Sequence, residues 1–256
     1  MRLINTKKLK FTDFLGTIPQ YTILWHTWGN EKVSLQETDD RILSVTSKEG
    51  YQKIVDFCRL AVELGYTWAW VDTCCIDKSN LSELAESINS MFRWYQEAAV
   101  CCVFLAVLPG DANLRDALPR CRWFTRGWTL QELLAPSKVQ FYDREWTLRG
   151  TKANLTSALA AITGIMSPVL NHKMQLQEVC IGTRMSWAAD RETTHPEDVA
   201  YCLLGIFDVS MPLIYGKGEK AFRRLQEEII RQSNDLTIFG WNQEREPLGV
   251  PISAAP

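Results

Sequence analysis

Trp128 and Glu132 are four residues apart in a segment with a helical apolar period. At 100° per residue, the apolar side is Leu130, Leu133 and Leu134, and Trp128 and Glu132 fall together on roughly the opposite side. The pattern predicts an aromatic ring and a carboxylate that face away from the core, where they suit a cationic ring or developing positive charge. We then expect Glu132→Gln to change stability by no more than about 0.5 kcal/mol. Spacing leaves one alternative open, a solvated Glu beside a Trp packed under a loop.

Two further segments place polar and aromatic side chains where predicted strands end. They are residues 25–29 (WHTWG) and residues 72–78 (DTCCIDK). In an open parallel sheet, ligands bind beyond the carboxyl ends of the strands, so both segments are candidates for a binding site. Cys75, His26 and Asp72 belong to this edge, which leaves a nucleophilic cysteine as another possibility.

The cysteines do not follow the spacing of a metal site or a disulfide framework. Cys74 and Cys75 are adjacent, no CxxC pair occurs among the eight cysteines, and the chain has only three His. A zinc site needs clustered ligands, so we predict no metal site. Reduced, mostly buried thiols without a structural disulfide are the expectation.

Apolar runs and helical periods alternate through the first 150 residues, which predicts a mainly parallel α/β sheet with helices on both faces. After residue 150 the pattern becomes helical. We therefore predict an α/β core over 1–150, a helical extension over 151–243 and a tail or linker over 244–256. The predicted strands lie near 21–24, 67–72, 100–107 and 138–143, and the predicted helices near 48–64, 81–95, 124–135, 154–162, 175–187, 196–207 and 219–232.

Composition argues against two classes of partner. With 28 Lys and Arg against 30 Asp and Glu, the formal net charge of the 256 residues is -2, which disfavours a nucleic-acid binder. The longest unbroken apolar run, 98–108, is too short for a membrane span. The Lys-rich segment 1–14 has no apolar stretch after it, so no secretory signal is predicted and the cytoplasm is the expected location.

Six ordered blocks of the sequence resemble the fungal heterokaryon-incompatibility (HET) domain. Trp25 stands where that family usually has Ser. The resemblance implies a role in cell death after fusion of unlike fungal cells, often at the N-terminus of longer proteins with nucleotide-binding and repeat domains. The blocks are YTILWHTWG (21–29), WVDTCCIDK (70–78), INSMFRWY (88–95), CRWFTRGWTLQELLAP (121–136), RMSWAADRETTHPEDVAYCLLGIFDVSMPLIYG (184–216) and DLTIFGW (235–241).

The order of elements is also similar to that of Toll/interleukin-1-receptor (TIR) domains, several of which cleave NAD⁺ at the nicotinamide–ribose bond. Their catalytic Glu lies in a Trp-x-x-x-Glu-Leu context, which here is Trp128 to Leu133. The loop from Asp72 to Lys78 matches, in chain order, a TIR loop that borders the active site. The resemblance implies that Glu132 is catalytic and that the substrate contacts are His26, Thr27, Trp28, Gly29, Asp72, Cys74, Asp77 and Trp128.

The implied function is a cell-death effector that cleaves NAD⁺, its substrate, without a further cofactor. A homo-oligomer is expected, because sites of the TIR kind are commonly completed by a neighbouring protomer. The rival interpretation is a non-catalytic death-signalling module that acts by homotypic assembly.

Overall fold

The computed structural model describes residues 1–26, 31–39, 47–108, 110 and 112–240. Within these residues, seven strands form one sheet in the order β2-β1-β4-β3-β5-β6-β7. The central pairs β4-β3, β3-β5 and β5-β6 are parallel, and the outer pairs are antiparallel. The strands are β1 Arg2–Asn5, β2 Lys10–Asp13, β3 Tyr21–His26, β4 Trp68–Val71, β5 Val100–Phe104, β6 Val139–Tyr142 and β7 Leu148–Thr151.

Helices flank the sheet and are the main regular elements of the described chain after β7. In the described part, no helix has both the length and the apolar composition that a membrane crossing requires. The helices are α1 Leu35–Asp39, α2 Glu49–Glu63, α3 Asp72–Cys75, α4 Leu81–Glu97, α5 Leu114–Ala117, α6 Thr129–Leu134, α7 Thr156–Thr163, α8 Ser167–Leu170, α9 Ile181–Ser186, α10 Asp198–Tyr201, α11 Leu204–Phe207 and α12 Lys220–Gln232. Four 3₁₀ turns are Leu118–Arg120, Arg122–Thr125, Leu176–Glu178 and Leu236–Phe239.

The predicted α/β class is confirmed, and β3, β4, β5 and β6 are the four strands expected from the apolar runs. Every residue of β5 is buried, because a central parallel strand is covered on both faces. Helix α4 begins where predicted: Asn80 accepts hydrogen bonds from the backbone N–H groups of Ser82 and Glu83.

The three strands of the outer, antiparallel parts of the sheet were not predicted. The hairpin of β1 and β2 lies in the Lys-rich segment 1–14, and β7 follows β6 after a short turn. Each is four residues long, and β2 is largely exposed. Strands this short carry too few apolar residues to show a period in the sequence.

The predicted helix over 124–135 is shorter than expected: α6 begins only at Thr129. The Gly127 N–H donates to the carbonyl of Glu192, and the Glu192 N–H donates to the carbonyl of Thr125. These bonds to a distant segment replace the intrahelical ladder before α6. A Cβ on Gly127 would lie 2.6 Å from the Thr193 side chain, so the close approach requires glycine.

The helical region shares one hydrophobic core with the sheet. Its centre includes Ile23 and Val103 from the strands and Leu204 and Leu225 from α11 and α12. The predicted long helices over 175–187 and 196–207 are each broken, into a 3₁₀ turn with α9 and into α10 with α11. Short helices let this region follow the surface of the sheet domain.

Close packing of α11 on α4 gives the first testable prediction. A Cβ on Gly205 would lie 2.0 Å from the Cβ of Phe92, so Gly205→Ala forces the two helices apart. We expect a loss of about 1–3 kcal/mol in the free energy of unfolding, measured by urea titration. The control is Gly16→Ala, where no atom lies within 4 Å of the new methyl group. Equal stability of the two variants would contradict the packing.

Candidate functional site

A cavity of about 940 Å³ lies at the carboxyl ends of β3 and β4. Trp25, near the end of β3, and Asp72, directly after β4, line the side formed by the sheet. Tyr95 of α4 and Glu132 of α6 line the same side. The opposite wall comes from the chain after residue 150, chiefly 194–198 and the segment around Tyr215. The cavity therefore belongs to both regions of the fold.

Glu132 is a buried residue in the wall of this cavity, with 5% of its surface exposed. The Tyr95 hydroxyl donates to Glu132 Oε1 at 3.2 Å, whereas Glu132 Oε2 has no hydrogen-bond partner within the described structure. Burial, and next the nearby Asp72 carboxylate, hold the pKa of Glu132 well above its ordinary value. The raised pKa favours the protonated, neutral form of this buried carboxyl.

The burial of Glu132 corrects the expectation of a surface residue. Leu130, Leu133 and Leu134 do form the buried face of α6, as the helical period predicts. The opposite face is covered as well, because residues 191–198 pack over the start of α6. The prediction that Glu132→Gln changes stability by no more than about 0.5 kcal/mol assumed an exposed side chain. It does not follow for a buried one.

Asp72 begins the short helix α3 at the end of β4. Its side chain is 26% exposed, and its Oδ2 lies 3.5 Å from the Nζ of Lys78. Burial raises the pKa of Asp72, and the Lys78 ammonium opposes that rise. Two carboxyls with raised pKa, Asp72 and Glu132, therefore share the sheet side of the cavity.

Trp128 lies in the cavity wall one turn before Glu132, at the N-terminal end of α6. Its indole Nε1–H donates to Asp198 Oδ2 at 3.3 Å, and the Tyr215 hydroxyl donates to Asp198 Oδ1 at 3.0 Å. Sequence reasoning missed Asp198, Tyr215 and Tyr95. Their partners are 17 to 70 positions away along the chain, so no local spacing indicates them.

Glu197 shapes the same wall through the backbone. Its Oε1 accepts hydrogen bonds from the N–H groups of Lys217 at 2.9 Å and Gly218 at 2.7 Å. These hydrogen bonds lower the pKa of Glu197, and the bond from Gly218 has the largest effect. Gly216 and Gly218 have φ of 80° and 55°, which glycine adopts without strain. The loop is thereby fixed beside Tyr215.

Two guanidinium groups also line the cavity, those of Arg122 and Arg126. Arg126 Nη2 donates to the Thr194 hydroxyl at 3.2 Å. Among the residues that the structure describes, neither arginine has an ion-pair partner. Both positive charges are therefore available to an anionic group of a ligand.

Two of the predicted substrate contacts are not brought to the cavity. Cys74 is a fully buried residue of α3, and its hydrogen bond with Cys75, together with burial, raises its pKa well above the ordinary value. Asp77 accepts from the backbone N–H and the hydroxyl of Ser79, so it orders its own loop. Thr27, Trp28 and Gly29 lie outside the described residues, as does the side chain of His26, whose backbone ends β3.

The cysteine alternative lacks access to the cavity. Cys75 is 2% exposed, and its sulfur accepts from the Val71 N–H at 3.3 Å. All eight cysteines are free thiols. Over 1–26, 31–39, 47–108, 110 and 112–240, no three His, Cys, Asp or Glu side chains cluster as metal ligands.

Comparison with known proteins identifies the family. The family model described as heterokaryon incompatibility protein (HET) matches residues 21–116. Over 222 residues, the chain is 46% identical to "Vegetative incompatibility protein HET-E-1" of Podospora anserina. The chain carries a HET domain. The alignment covers 84% of this chain and only 16% of that relative. A domain of unknown function, DUF8212, matches residues 220–253 of the chain. No solved structure matches the chain.

The buried carboxyl of the HET domain gives a prediction about pH. Below the ordinary pKa of Glu, the Glu132 carboxyl is protonated in both the folded and the unfolded chain. Above it, the unfolded chain ionises first, because the folded pKa is raised, and stability falls as pH rises. Gln does not titrate. Glu132→Gln should therefore be more stable than the wild type. The difference in the free energy of unfolding should grow between pH 5 and pH 8, by up to about 1.4 kcal/mol per pH unit.

Thermal melts across that pH range measure the difference. Glu86→Gln, at an exposed position of α4, is the control and should follow the wild type at every pH. Parallel curves for wild type and Glu132→Gln would show that Glu132 ionises in the folded protein as it does in water.

Proposed function

We propose that this HET domain is a cell-death effector of vegetative incompatibility and that it cleaves NAD⁺ at the nicotinamide–ribose bond. The similarity to the vegetative incompatibility protein HET-E-1 supports the first half of the proposal. The cavity supports the second half. Its volume of about 940 Å³ falls in the range of small-molecule sites, about 300–1,000 Å³.

The observation that carries the proposal is the unpartnered Oε2 of Glu132. A buried carboxyl oxygen without a partner is costly, and a ligand that supplies positive charge or a donor removes that cost. The pyridinium ring of NAD⁺ brings positive charge, which favours the ionised form of Glu132. Tyr95 holds Oε1, so Oε2 is the oxygen left for the substrate.

The reaction breaks the bond between ribose C1′ and the nicotinamide nitrogen, and the bonding electron pair leaves with neutral nicotinamide. Positive charge then develops on the ribose as an oxocarbenium-like state, which a nearby carboxylate stabilises. Water adds to C1′ and loses a proton, giving ADP-ribose. Glu132 serves as the stabilising carboxylate.

The rest of the cavity fits the remaining parts of the dinucleotide. Arg122 and Arg126 offer unbalanced positive charge to the diphosphate, for which guanidinium geometry is well suited. The half-buried Trp128 offers an aromatic face to a base or to the pyridinium ring. No resident cofactor enters this scheme, because NAD⁺ is the substrate.

The chain spans 16% of the length of the relative that it matches. By the family resemblance, HET domains often stand at the N-terminus of longer proteins with nucleotide-binding and repeat domains. We propose that such domains are its partners in a longer parent chain and that it acts in the cytoplasm. We also propose that homotypic assembly is the step that activates the site.

Loss of the Glu132 carboxylate tests the chemistry. Glu132→Gln keeps the shape of the side chain, and we expect nicotinamide release from NAD⁺ to fall by on the order of 10²–10³. Toxicity on expression in a cell should disappear together with NAD⁺ depletion. Glu86→Gln, matched in chemistry but exposed, should retain both. Undiminished NAD⁺ cleavage by folded Glu132→Gln would refute the assignment, and toxicity without cleavage by any variant would favour the non-catalytic assembly module.

Assembly makes a separate prediction about concentration. If a neighbouring protomer completes the site, specific activity should rise with protein concentration or with forced clustering. Nicotinamide release measured across a wide concentration range, with the oligomeric state followed by light scattering, checks this. Constant specific activity in a protein that stays monomeric would indicate a self-sufficient site.

A further inference from the structure

Asp198 is the point at which three segments of the chain meet at the cavity. It begins α10, has 8% of its surface exposed, and lines the cavity wall opposite the sheet. Its Oδ2 accepts from the Trp128 indole at 3.3 Å, and its Oδ1 accepts from the Tyr215 hydroxyl at 3.0 Å. Each carboxylate oxygen of Asp198 therefore already has a donor from the protein.

Glu132 and Asp198, two of the buried carboxyl residues of the cavity, thus differ in what they can do. Glu132 keeps Oε2 without a partner, whereas neither oxygen of Asp198 is left over. A ligand that took either oxygen of Asp198 would have to displace Trp128 or Tyr215. Asp198 is consequently better suited to hold those two rings than to contact the substrate.

The Trp128 ring is the side chain that most needs such a tether. Trp128 is half-buried, and it precedes α6, the helix that carries Glu132. Its one polar atom is the indole N–H, and the bond to Asp198 sets the direction of the ring across the cavity. Tyr215 braces Asp198 from the other side and contacts the rings of His195 and Tyr201 edge-on at 5.6 and 5.4 Å.

We propose that Asp198 is a positioning residue that fixes the Trp128 ring for stacking on the base or pyridinium ring of the dinucleotide. The inference rests on the proposed function for the choice of substrate. It also gives the helical region a part in substrate binding, because Asp198 and Tyr215 both lie after residue 150. Stacking of a ring on Trp128 contributes equally to the bound substrate and to the transition state, so its loss raises KM more than it lowers kcat.

The experiment compares removal of the tether with a conservative replacement. Asp198→Asn keeps the shape, its amide oxygen accepts from Trp128, and its amide N–H donates to the Tyr215 hydroxyl. Asp198→Ala removes both bonds. We expect Asp198→Ala to raise KM for NAD⁺ about tenfold, with kcat changed by no more than about threefold, and Asp198→Asn to stay within about threefold of the wild type in both. Asp116→Ala, at an exposed position of α5, is the control and should match the wild type.

A double-mutant cycle separates positioning from mere stabilisation of the fold. In a Trp128→Ala background no indole remains to be positioned, so adding Asp198→Ala should leave KM unchanged within about twofold. Thermal melts accompany each variant. A KM effect of Asp198→Ala that persists without Trp128, or a kcat loss in Asp198→Asn as large as that in Asp198→Ala, would overturn the inference.

Calorimetric titration with NAD⁺ and with ADP-ribose keeps this inference distinct from the proposed function. If the wild type binds NAD⁺ but releases no nicotinamide, the proposed reaction fails. The same variants then decide the role of Asp198 from Kd in place of KM. If the wild type cleaves NAD⁺ and Asp198→Ala leaves KM and Kd unchanged, the positioning role alone is refuted. If the wild type binds neither molecule, both proposals fall.

Discussion

The seam between the start of α6 and residues 191–198 is the constraint on which the cavity depends. Backbone bonds join Thr125 and Gly127 to Glu192 in both directions, at 2.6 and 2.9 Å. Arg191 reinforces them, because its Nη1 donates to the Arg126 carbonyl at 3.0 Å and to the Thr129 hydroxyl at 2.8 Å. This seam brings the second wall over the sheet edge and buries the carboxyl of Glu132.

Buried cations hold both ends of α6 without neutralising Glu132. Arg191 binds the segment that leads into the helix, and burial lowers its pKa to about 10. At the other end the Lys152 ammonium donates to the Leu133 carbonyl at 3.1 Å, and burial lowers its pKa to about 8. Neither cation donates a hydrogen bond to Glu132, whose Oε2 is buried and has no partner within the described protein. The short helix is thereby held at both ends.

Glu197 and Asp198, two carboxyl residues of the cavity wall opposite the sheet, shape that wall in different ways. Glu197 binds backbone N–H groups and fixes the loop around Gly218, whereas Asp198 binds side chains and fixes two rings. The proposal that NAD⁺ binds here rests on this combination of a buried carboxyl, an aromatic face and two guanidinium groups in one cavity. The helical region forms the cavity as much as the sheet does.

The sequence by itself determined the parallel core, the buried face of α6 and the adjacency of Trp128 and Glu132, because apolar runs and helical periods are local signals. It missed β1, β2 and β7, whose four-residue spans carry too few apolar side chains to form a pattern. Only the tertiary structure decided that the outer face of α6 is covered. A helical period gives the direction in which a side chain points but not what packs against it. For the same reason Tyr95 and Asp198, 37 and 70 positions from their partners, entered the site only through the fold.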